Sequence, residues 1–318
     1  MNTIGADRAA ALLRGAENIL VVTHIRPDGD TAGSAAALCL ALRALGKQAY
    51  TIPNPPSMER YNPYMLPYFA PEGFKPDFVV AVDTPGERQF PVGYELLAKQ
   101  TNLAIDHHDT NSGYAEFSWI DRAAAACGEM IYELLGLFGI KPTLEMAEAL
   151  YVSLSTDSGC FRTSAVTPRT LRIAADLLEL GVPAADINHR LFEVRSAARV
   201  RLESIMFATM SIRDGICTII LPLETIRSTG VTENDMDKLS LLTLVPEEVT
   251  DGILLRQMPD RTWKISVRTD GTVDAGKITA LVGGGGHAES GGAVTAGNPD
   301  ELAERLQNAI CQMRANRV

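Results

Sequence analysis

The stretch LAIDHH, residues 103–108, joins three apolar residues to a carboxylate and two adjacent imidazoles. The apolar residues predict the core of a buried β-strand. Aspartate and histidine are metal ligands and acid/base groups, and their concentration directly after a strand indicates a functional site. Taken alone, the triplet could also be a chance surface cluster, although a functional site is the favoured interpretation. The hypothesis therefore depends on what the rest of the chain places beside it.

Strand patterns alternate with helix patterns through the first half of the chain. Strands are predicted at 18–23, 48–52, 78–82 and 103–105, and helices at 31–46, 128–138, 143–154 and 168–180. This alternation predicts an α/β fold, in which a parallel five-stranded sheet carries helices on both faces.

The second half of the chain has a different pattern. A continuous helical pattern from about 183 to 210 predicts a helical linker, and strand patterns follow at 215–221, 251–258 and 262–268 before a last helix at 299–313. We expect a smaller α+β domain there. The predicted divisions are a catalytic domain at 1–185, a linker at 186–212 and a substrate-binding domain at 213–318.

Composition limits the class of protein. The net charge of −10 argues against a long nucleic-acid-binding surface but permits a small anionic substrate, because metal ions would supply local positive charge. Five scattered cysteines without a C-x-x-C pair favour free thiols in a cytoplasmic protein. Cys39 and Cys127 are predicted to be core residues. Neither a membrane span nor a secretory signal is expected, and a homodimer is compatible with the sequence.

Potential metal ligands follow several of the predicted strands. They are His24, Asp28 and Asp30 after the first strand, Asp83 after the third, Asp106, His107 and His108 after the fourth, and Asp157 at the end of a helix. A turn or a helix cap would explain each aspartate taken alone. Recurrence at three strand ends favours one shared site, because ligands bind beyond the carboxyl ends of parallel strands. His189, in a helical pattern, is predicted to lie on the surface.

Oxygen and nitrogen donors of this kind suit Mn²⁺ or Mg²⁺ better than structural zinc. Two such ions, about 3.5–4 Å apart, can hold a phosphoryl group and lower the pKa of a water molecule.

In the second domain, the run GGGGH at 283–287 is either a flexible linker or a place where backbone N–H groups approach an oxyanion. Alternation in the strand before it places Ile265 and Val267 toward the core and Arg268 on the opposite face. The guanidinium of Arg268 could bind phosphate there, or could simply be exposed to solvent.

In their order, these motifs resemble the DHH phosphoesterase superfamily, and most closely its nano-RNase and pAp phosphatase subfamily (pAp is 3′-phosphoadenosine-5′-phosphate). The motifs are HxxPDGD at 24–30, Asp83-Thr84, the DHH triplet at 106–108, DSG at 157–159 and GGGGH at 283–287. The resemblance covers nearly the whole chain. It departs from the family pattern at Pro85 and Glu289, which affects the expected substrate contacts.

The resemblance implies roles for these residues. One Mn²⁺ would be held by His24, Asp28 and Asp83, and a second by Asp30, Asp83, His107 and Asp157. Asp106 would orient an imidazole, with His107 as the expected partner, and His108 would face the substrate phosphate. From the second domain, the expected substrate contacts are Arg268, Gly284, Gly285, Gly286 and His287, of which Arg268 and His287 would also take part in catalysis.

The function implied by the resemblance is Mn²⁺-dependent hydrolysis of short oligoribonucleotides to mononucleotides, of pAp to AMP, or of both. The alternatives are a linear di-adenylate or cyclic-dinucleotide phosphodiesterase, a RecJ-like single-strand exonuclease, an inorganic pyrophosphatase and a non-catalytic nucleotide-binding protein. The glycine–histidine run argues against a pyrophosphatase. The filled set of ligand positions argues against a non-catalytic protein.

Overall fold

The computed structural model describes residues 2–54 and 59–316. The chain divides into two compact units, Met1–Val194 and Arg195–Val318. The first unit is built on a parallel sheet, as the alternation of strands and helices predicts. Its strands are β1 (Asn2–Thr3), β2 (Asn18–Val22), β3 (Gln48–Thr51), β4 (Phe78–Val82), β5 (Leu103–Asp106) and β6 (Phe117–Ile120).

The sheet has six strands in the order β1-β6-β5-β4-β2-β3, all parallel. The predicted strands at 18–23, 48–52, 78–82 and 103–105 are confirmed. Five strands were expected, and the difference comes from short edge elements, since β1 has only two residues. Chain order reverses between β2 and β4, because β2 leads outward to β3 and β4 leads outward to β5. Ligand sites in open parallel sheets form at such a reversal.

The α-helices of the first unit pack on one face of this sheet, where their buried residues share a core with Ile19, Val21, Val80 and Val82. They are α1 (Ala6–Gly15), α2 (Gly29–Ala44), α3 (Cys127–Phe138), α4 (Leu144–Asp157), α5 (Pro168–Glu179) and α6 (Ala184–Asn188). The other face packs against residues such as Phe90 and Ala98, which belong to 3₁₀ segments and loops in place of the helices expected there.

Helix α2 is buried on nearly all sides and is rich in alanine and glycine. A Cβ atom at Gly33 would lie 2.2 Å from the carbonyl oxygen of Ala149 in α4, and one at Gly128 in α3 would lie 2.1 Å from Ser153 Oγ. Glycine therefore permits these three helices to approach closely. This approach brings their amino- or carboxyl-terminal turns to the ends of β2 and β4.

The predicted continuous helix between 183 and 210 is wrong. After α6 the chain makes a π-helical turn at His189–Glu193, leaves the helical conformation at Val194, and starts α7 (Ala197–Thr209) at a new cap. Ser196 is that cap, and its hydroxyl accepts a hydrogen bond from the backbone N–H of Arg199 at 2.9 Å. Serine at such a position favours a helix start, which the uniform helical composition concealed.

The second unit is α+β, as predicted, with a mixed six-stranded sheet in the order β11-β12-β10-β9-β8-β7. Its strands are β7 (Ser211–Arg213), β8 (Ile216–Leu221), β9 (Asp251–Gln257), β10 (Trp263–Thr269), β11 (Gly285–Gly286) and β12 (Ser290–Thr295). Its remaining helices are α8 (Leu223–Thr229), α9 (Ala275–Ala280) and α10 (Pro299–Ala315). The predicted alternation in β10 is confirmed, because Ile265 and Val267 are fully buried and Arg268 is only partly buried.

All five cysteines are free thiols, and both Cys39 and Cys127 are buried as expected. Across residues 2–54 and 59–316, no helix is long and apolar enough to span a membrane.

The substitution Gly33→Ala tests the close approach of α2 and α4. The added methyl group would collide with the backbone of α4, which cannot move aside as a flexible side chain could. We expect a loss of about 1–3 kcal/mol in the free energy of unfolding measured in urea. The matched control is Gly136→Ala in α3, where a Cβ atom meets nothing within 4 Å. That control should stabilise the protein by about 0.5–1 kcal/mol, and stabilisation by both substitutions would contradict the packing argument.

Candidate metal centre

The predicted ligands meet at the carboxyl ends of neighbouring strands, where the order of the sheet reverses. His24, Asp28 and Asp30 follow β2, Asp83 follows β4, and the triplet 106–108 lies at the end of β5. Since β2, β4 and β5 are adjacent, their three polar loops lie side by side. Asp157, the last residue of α4, joins them from the helical layer.

Asp83 lies at the centre of this cluster. Its Oδ2 is 3.6 Å from His24 Nε2, and its Oδ1 is 3.6 Å from His107 Nε2 and 3.5 Å from His108 Nδ1. The side chain is 3 % exposed. The two oxygens of one carboxylate therefore face two different sets of neighbours, as a ligand shared between two metal ions would.

Three groups of ligand atoms share Asp83, and in one of them, with Asp106 and His108, a hydrogen bond already joins the imidazole to Asp106. The other two groups offer sites for metal ions. In one group, ligand atoms of His24, Asp28 and Asp83 lie within 4.8 Å of one another. In the other, the same spacing relates Asp83 to Asp30, His107 and the thiol of Cys127, and Asp157 Oδ2 lies 3.5 Å from His107 Nε2. Separations of 3.5–3.8 Å between the imidazole nitrogens and these oxygens exceed hydrogen-bond length. They suit donors that each approach a common ion to about 2.1 Å.

Backbone carbonyl groups set the orientation of two imidazoles. His24 Nδ1 lies 2.8 Å from the carbonyl oxygen of Ile25, and His107 Nδ1 lies 3.1 Å from that of Ala124. A carbonyl oxygen can only accept, so Nδ1 carries the proton in each ring. Each Nε2 is then free to bind a metal ion and faces the carboxylate cluster. This arrangement is typical of metal-binding histidines.

Asp106 orients His108, whereas His107 was the expected partner. The fully buried carboxylate of Asp106 accepts a hydrogen bond from His108 Nδ1 at 2.8 Å and one from Asn111 Nδ2 at 2.6 Å, and the ring of His107 is held by Ala124 instead. Burial acts to raise the pKa of Asp106, but the bonds from His108 and Asn111 outweigh it and hold the pKa below its usual value. The carboxylate of Asp106 also accepts a hydrogen bond from the backbone N–H of His107, at 2.9 Å.

Asp30 is held by hydrogen bonds from its own helix, α2, and from α3 and α4. Its Oδ1 accepts hydrogen bonds from Ser34 Oγ at 2.8 Å and from Ser153 Oγ at 2.6 Å, and its Oδ2 accepts from the backbone N–H of Cys127 at 2.8 Å. The amino terminus of α3 therefore faces a carboxylate, which its helix dipole stabilises. The glycine contacts between α2, α3 and α4 make this set of bonds possible.

The charges of the cluster favour retention of protons. Burial raises the pKa of Asp30 well above its usual value, and the carboxylates of Asp83 and Asp157 raise it further. Burial is also the main cause that raises the pKa of Asp157 to about 6. For His107, burial favours the neutral ring, but attraction to Asp83 and Asp30 outweighs it and raises the pKa to about 10. Five carboxylates converge here, and two divalent cations would offset four of their charges. The donor set therefore fits divalent metal ions.

Backbone strain is concentrated in the same loops. Among the described non-glycine residues of the first unit, positive φ angles occur at Arg26, Asp83, Cys160 and Phe161, with values from 55° to 61°. Each is a ligand candidate or lies within four residues of one. Left-handed conformations of this kind cost free energy and persist where the surroundings impose them, which is common at functional sites.

Cys127 and the residues that support Asp30 and Asp106 are absent from the sequence-based set. Ser34 lies four residues after Asp30 on α2, so helical spacing could have identified it. Cys127 was interpreted only as a core residue, and no sequence pattern links it to β4. Asp28 combines both interpretations considered for it, because it caps α2 by accepting from the N–H of Thr31 and also belongs to the ligand group of His24.

The remaining predicted site residues belong to the second unit. The N–H of Gly284 donates to the carbonyl oxygen of Thr279, and a Cβ atom at Gly284 would lie 2.2 Å from the carbonyl oxygen of Gly292. The glycine run is therefore a packed strand and turn, in which Gly284 has a steric role. Gly285, Gly286 and His287 are exposed. In sheet register, Arg268 pairs with Ser290, whose carbonyl accepts from His287 N–H.

His189 lies on the surface as predicted, with Nδ1 2.8 Å from the exposed carboxylate of Glu193.

Comparisons with known proteins identify the family. Residues 18–154 match the model for the N-terminal domain of the DHH family. Over 306 residues, the chain is 33% identical to the bifunctional oligoribonuclease and PAP phosphatase NrnA of Thermus thermophilus, with 95% of this chain and 92% of that protein covered. The chain belongs to the DHH family. Another DHH relative, the protein of the same name from Bacillus subtilis, is 25% identical over 289 residues, which are 87% of this chain and 89% of that protein.

Solved structures of similar proteins confirm the fold. An exopolyphosphatase-related protein from Bacteroides fragilis superposes with a TM-score of 0.88 at 21% identity, covering 98% of this chain and 96% of that one. RecJ of Thermus thermophilus, solved with Mn²⁺, gives a TM-score of 0.56 at 17% identity. The match covers 97% of this chain and 55% of the RecJ chain.

The substitution Asn111→Ala tests the support of Asp106. It removes one of the donors to a fully buried carboxylate. Loss of such a hydrogen bond should lower the free energy of unfolding in urea by about 1.5–3 kcal/mol. Gln100→Ala, at an exposed position in the same unit, should change it by less than about 0.5 kcal/mol. Equal effects of the two substitutions would contradict the role given to Asn111.

Proposed function

We propose that this protein is a phosphoesterase that uses two divalent cations to hydrolyse short oligoribonucleotides to mononucleotides and pAp to AMP. The observation that carries the proposal is the pair of ligand groups that share Asp83, one with His24 and Asp28 and one with Asp30 and His107. Asp157 completes the second group. When bound, two cations in these groups would supply an activated water molecule and positive charge for the phosphoryl oxygens.

His108 is the group of the first unit that we assign to the substrate. Its Nδ1 is bonded to Asp106, so its Nε2 is left to contact a phosphate oxygen. Burial favours the neutral ring, but the hydrogen bond to Asp106 and the charge of Asp83 outweigh it and raise the pKa of His108. The protonated ring donates a hydrogen bond from Nε2 and adds positive charge beside the phosphate. The side chain is 41% exposed, which leaves it accessible.

Arg268 and His287 are the groups of the second unit that we assign to the substrate's phosphates. Arg268 is partly buried, and burial lowers its pKa somewhat from the usual value of arginine, so a phosphate would supply a favourable partner. The exposed Gly285 and Gly286 form β11 and directly precede His287 in the chain. We therefore propose that the first unit is the catalytic domain and the second the substrate-binding domain.

The substrate class follows from charge and from the relatives. A net charge of −10 suits a short, phosphate-ended nucleotide held by metal ions and a few basic groups better than a long strand held along a basic surface. Two relatives that cover most of the chain are named bifunctional oligoribonuclease and PAP phosphatase. We assign the same pair of substrates to this chain.

Manganese is the cation we propose. Each of the two ligand groups contains two carboxylates and an imidazole, and Mn²⁺ accepts ligands of both kinds. The RecJ structure with the same fold was solved with Mn²⁺. The free thiols support a cytoplasmic location, where manganese would be drawn from the cellular pool.

The substitution Asp83→Ala should abolish hydrolysis. It removes a ligand from both groups at once, so we expect release of mononucleotides from a 5′-labelled dinucleotide in Mn²⁺ to fall by at least about 10³-fold. Asp109→Ala removes an exposed carboxylate next to His108 that pairs with Arg122, and it should retain activity within about threefold. Full activity of the Asp83 variant would refute the two-cation proposal.

Metal removal separates the cation requirement from the choice of substrate. After treatment with EDTA, hydrolysis of a dinucleotide and of pAp should stop, and addition of Mn²⁺ should restore it.

At equal concentrations, turnover of di- to pentanucleotides should exceed that of a 20-nucleotide RNA. Faster hydrolysis of the long RNA would favour a RecJ-like exonuclease, and exclusive hydrolysis of cyclic di-AMP or pApA would favour a dinucleotide phosphodiesterase.

A further inference from the structure

Among the residues that the structure describes, Cys127 is the one thiol that belongs to a group of candidate metal ligands. It is the first residue of α3 and is fully buried. Its Sγ lies 3.9 Å from Asp83 Oδ1 and 3.5 Å from the carbonyl oxygen of Ile105. The thiol is therefore close to the same oxygen of Asp83 that faces His107.

The Sγ atom belongs to this ligand group by distance. It lies within 4.8 Å of ligand atoms of Asp30, Asp83 and His107, which are themselves within that distance of one another. Sulfur binds a metal ion at about 2.3 Å and a carboxylate oxygen at about 2.1 Å, so a separation of 3.9 Å between Sγ and Oδ1 permits both to contact one ion.

The backbone holds this thiol in place. The N–H of Cys127 donates to Asp30 Oδ2 at 2.8 Å, so the residue that carries the thiol also fixes a ligand of the same group. The next residue, Gly128, abuts Ser153 so closely that an added Cβ would lie 2.1 Å from its Oγ. The start of α3 therefore has little freedom to move the thiol away from the carboxylates.

We propose that Cys127 Sγ, after releasing its proton to solvent, is a further ligand for the cation held by Asp30, Asp83 and His107. This half of the centre would still bind Mn²⁺, but its affinity for thiophilic divalent cations such as Zn²⁺, Cd²⁺ and Co²⁺ would exceed that of the other half. The half formed by His24, Asp28 and Asp83 has only oxygen and nitrogen donors. The two halves then differ in preference, because thiolate ligands select softer cations and carboxylates select Mn²⁺ or Mg²⁺. This inference rests on the metal centre of the proposed function.

Absorption spectroscopy with Co²⁺ tests the proposal directly. A sulfur–cobalt bond produces a charge-transfer band in the near ultraviolet that oxygen and nitrogen ligands do not produce. The metal-free protein titrated with Co²⁺ should show this band, and Cys127→Ser should lose it. Cys160→Ser is the matched control, since Cys160 lies three residues after Asp157 but outside the ligand groups found among the described residues. A band that survives in Cys127→Ser, or that disappears in Cys160→Ser, would overturn the assignment.

Affinity measurements add a readout that a packing role would not reproduce. Cys127→Ser should weaken Cd²⁺ binding by about tenfold or more and Mn²⁺ binding by less than about threefold. Equal losses for both ions would indicate a packing defect and contradict the proposal. Should the variant fail to fold, ¹¹³Cd NMR of the unaltered protein serves in its place, because a sulfur ligand shifts the cadmium resonance strongly downfield. A cadmium resonance at a position typical of oxygen and nitrogen ligands, with no downfield resonance, would overturn the proposal.

The two proposals fail in different ways. Mn²⁺-dependent hydrolysis by a protein without a sulfur–cobalt band would remove the role of Cys127 and leave the proposed function standing. A cobalt band that depends on Cys127, in a protein that hydrolyses neither dinucleotide nor pAp, would support the thiol ligand and overturn the function.

Discussion

The repulsion among buried carboxylates around Asp83 is the constraint on which the first unit depends. Asp30 and Asp83 are both buried, and histidine side chains face both carboxylates. Hydrogen bonds to Asp30 offset only part of the cost of burying these charges, which is several kcal/mol per ion. The raised pKa of Asp30 expresses that cost, and the raised pKa of His107 expresses its attraction to the carboxylates. Divalent cations would relieve the repulsion among these carboxylates. A fold that keeps these groups together therefore indicates a cation-dependent function.

The architecture holds these charges together by two means. Reversal of strand order between β2 and β4 places the loops of His24, Asp83 and Asp106 side by side. Close packing of α2, α3 and α4 at glycines then allows Ser153 and the start of α3 to donate to Asp30. The strained backbone of Asp83, with φ at 55°, is stabilised by this surrounding structure.

The sequence predicted the sheet, and it predicted candidate ligands that the structure brings together around Asp83, because both follow local rules. Apolar runs of strand length identify β2, β4 and β5. Ligands that directly follow parallel strands must lie at the same end of the sheet, where the strands have their carboxyl ends. Pairings that depend on side-chain direction were not predictable. Asp106 is adjacent to both His107 and His108, and only the structure shows that His108 Nδ1 meets its carboxylate while Ala124 holds His107. Cys127 was missed for the same reason, since its neighbour Asp83 is distant in sequence.

The glycine run at 283–286 has the composition of a linker, yet its packing against β12 makes it part of a sheet.

The central claim is that one carboxylate, Asp83, is shared by two cation sites. Electron paramagnetic resonance of the Mn²⁺-loaded protein, combined with equilibrium dialysis, tests it most directly. We predict two Mn²⁺ ions per chain and a spectrum broadened by exchange coupling between them, with coupling lost in Asp83→Ala. A single ion per chain, or two ions with the spectrum of isolated Mn²⁺, would contradict the account.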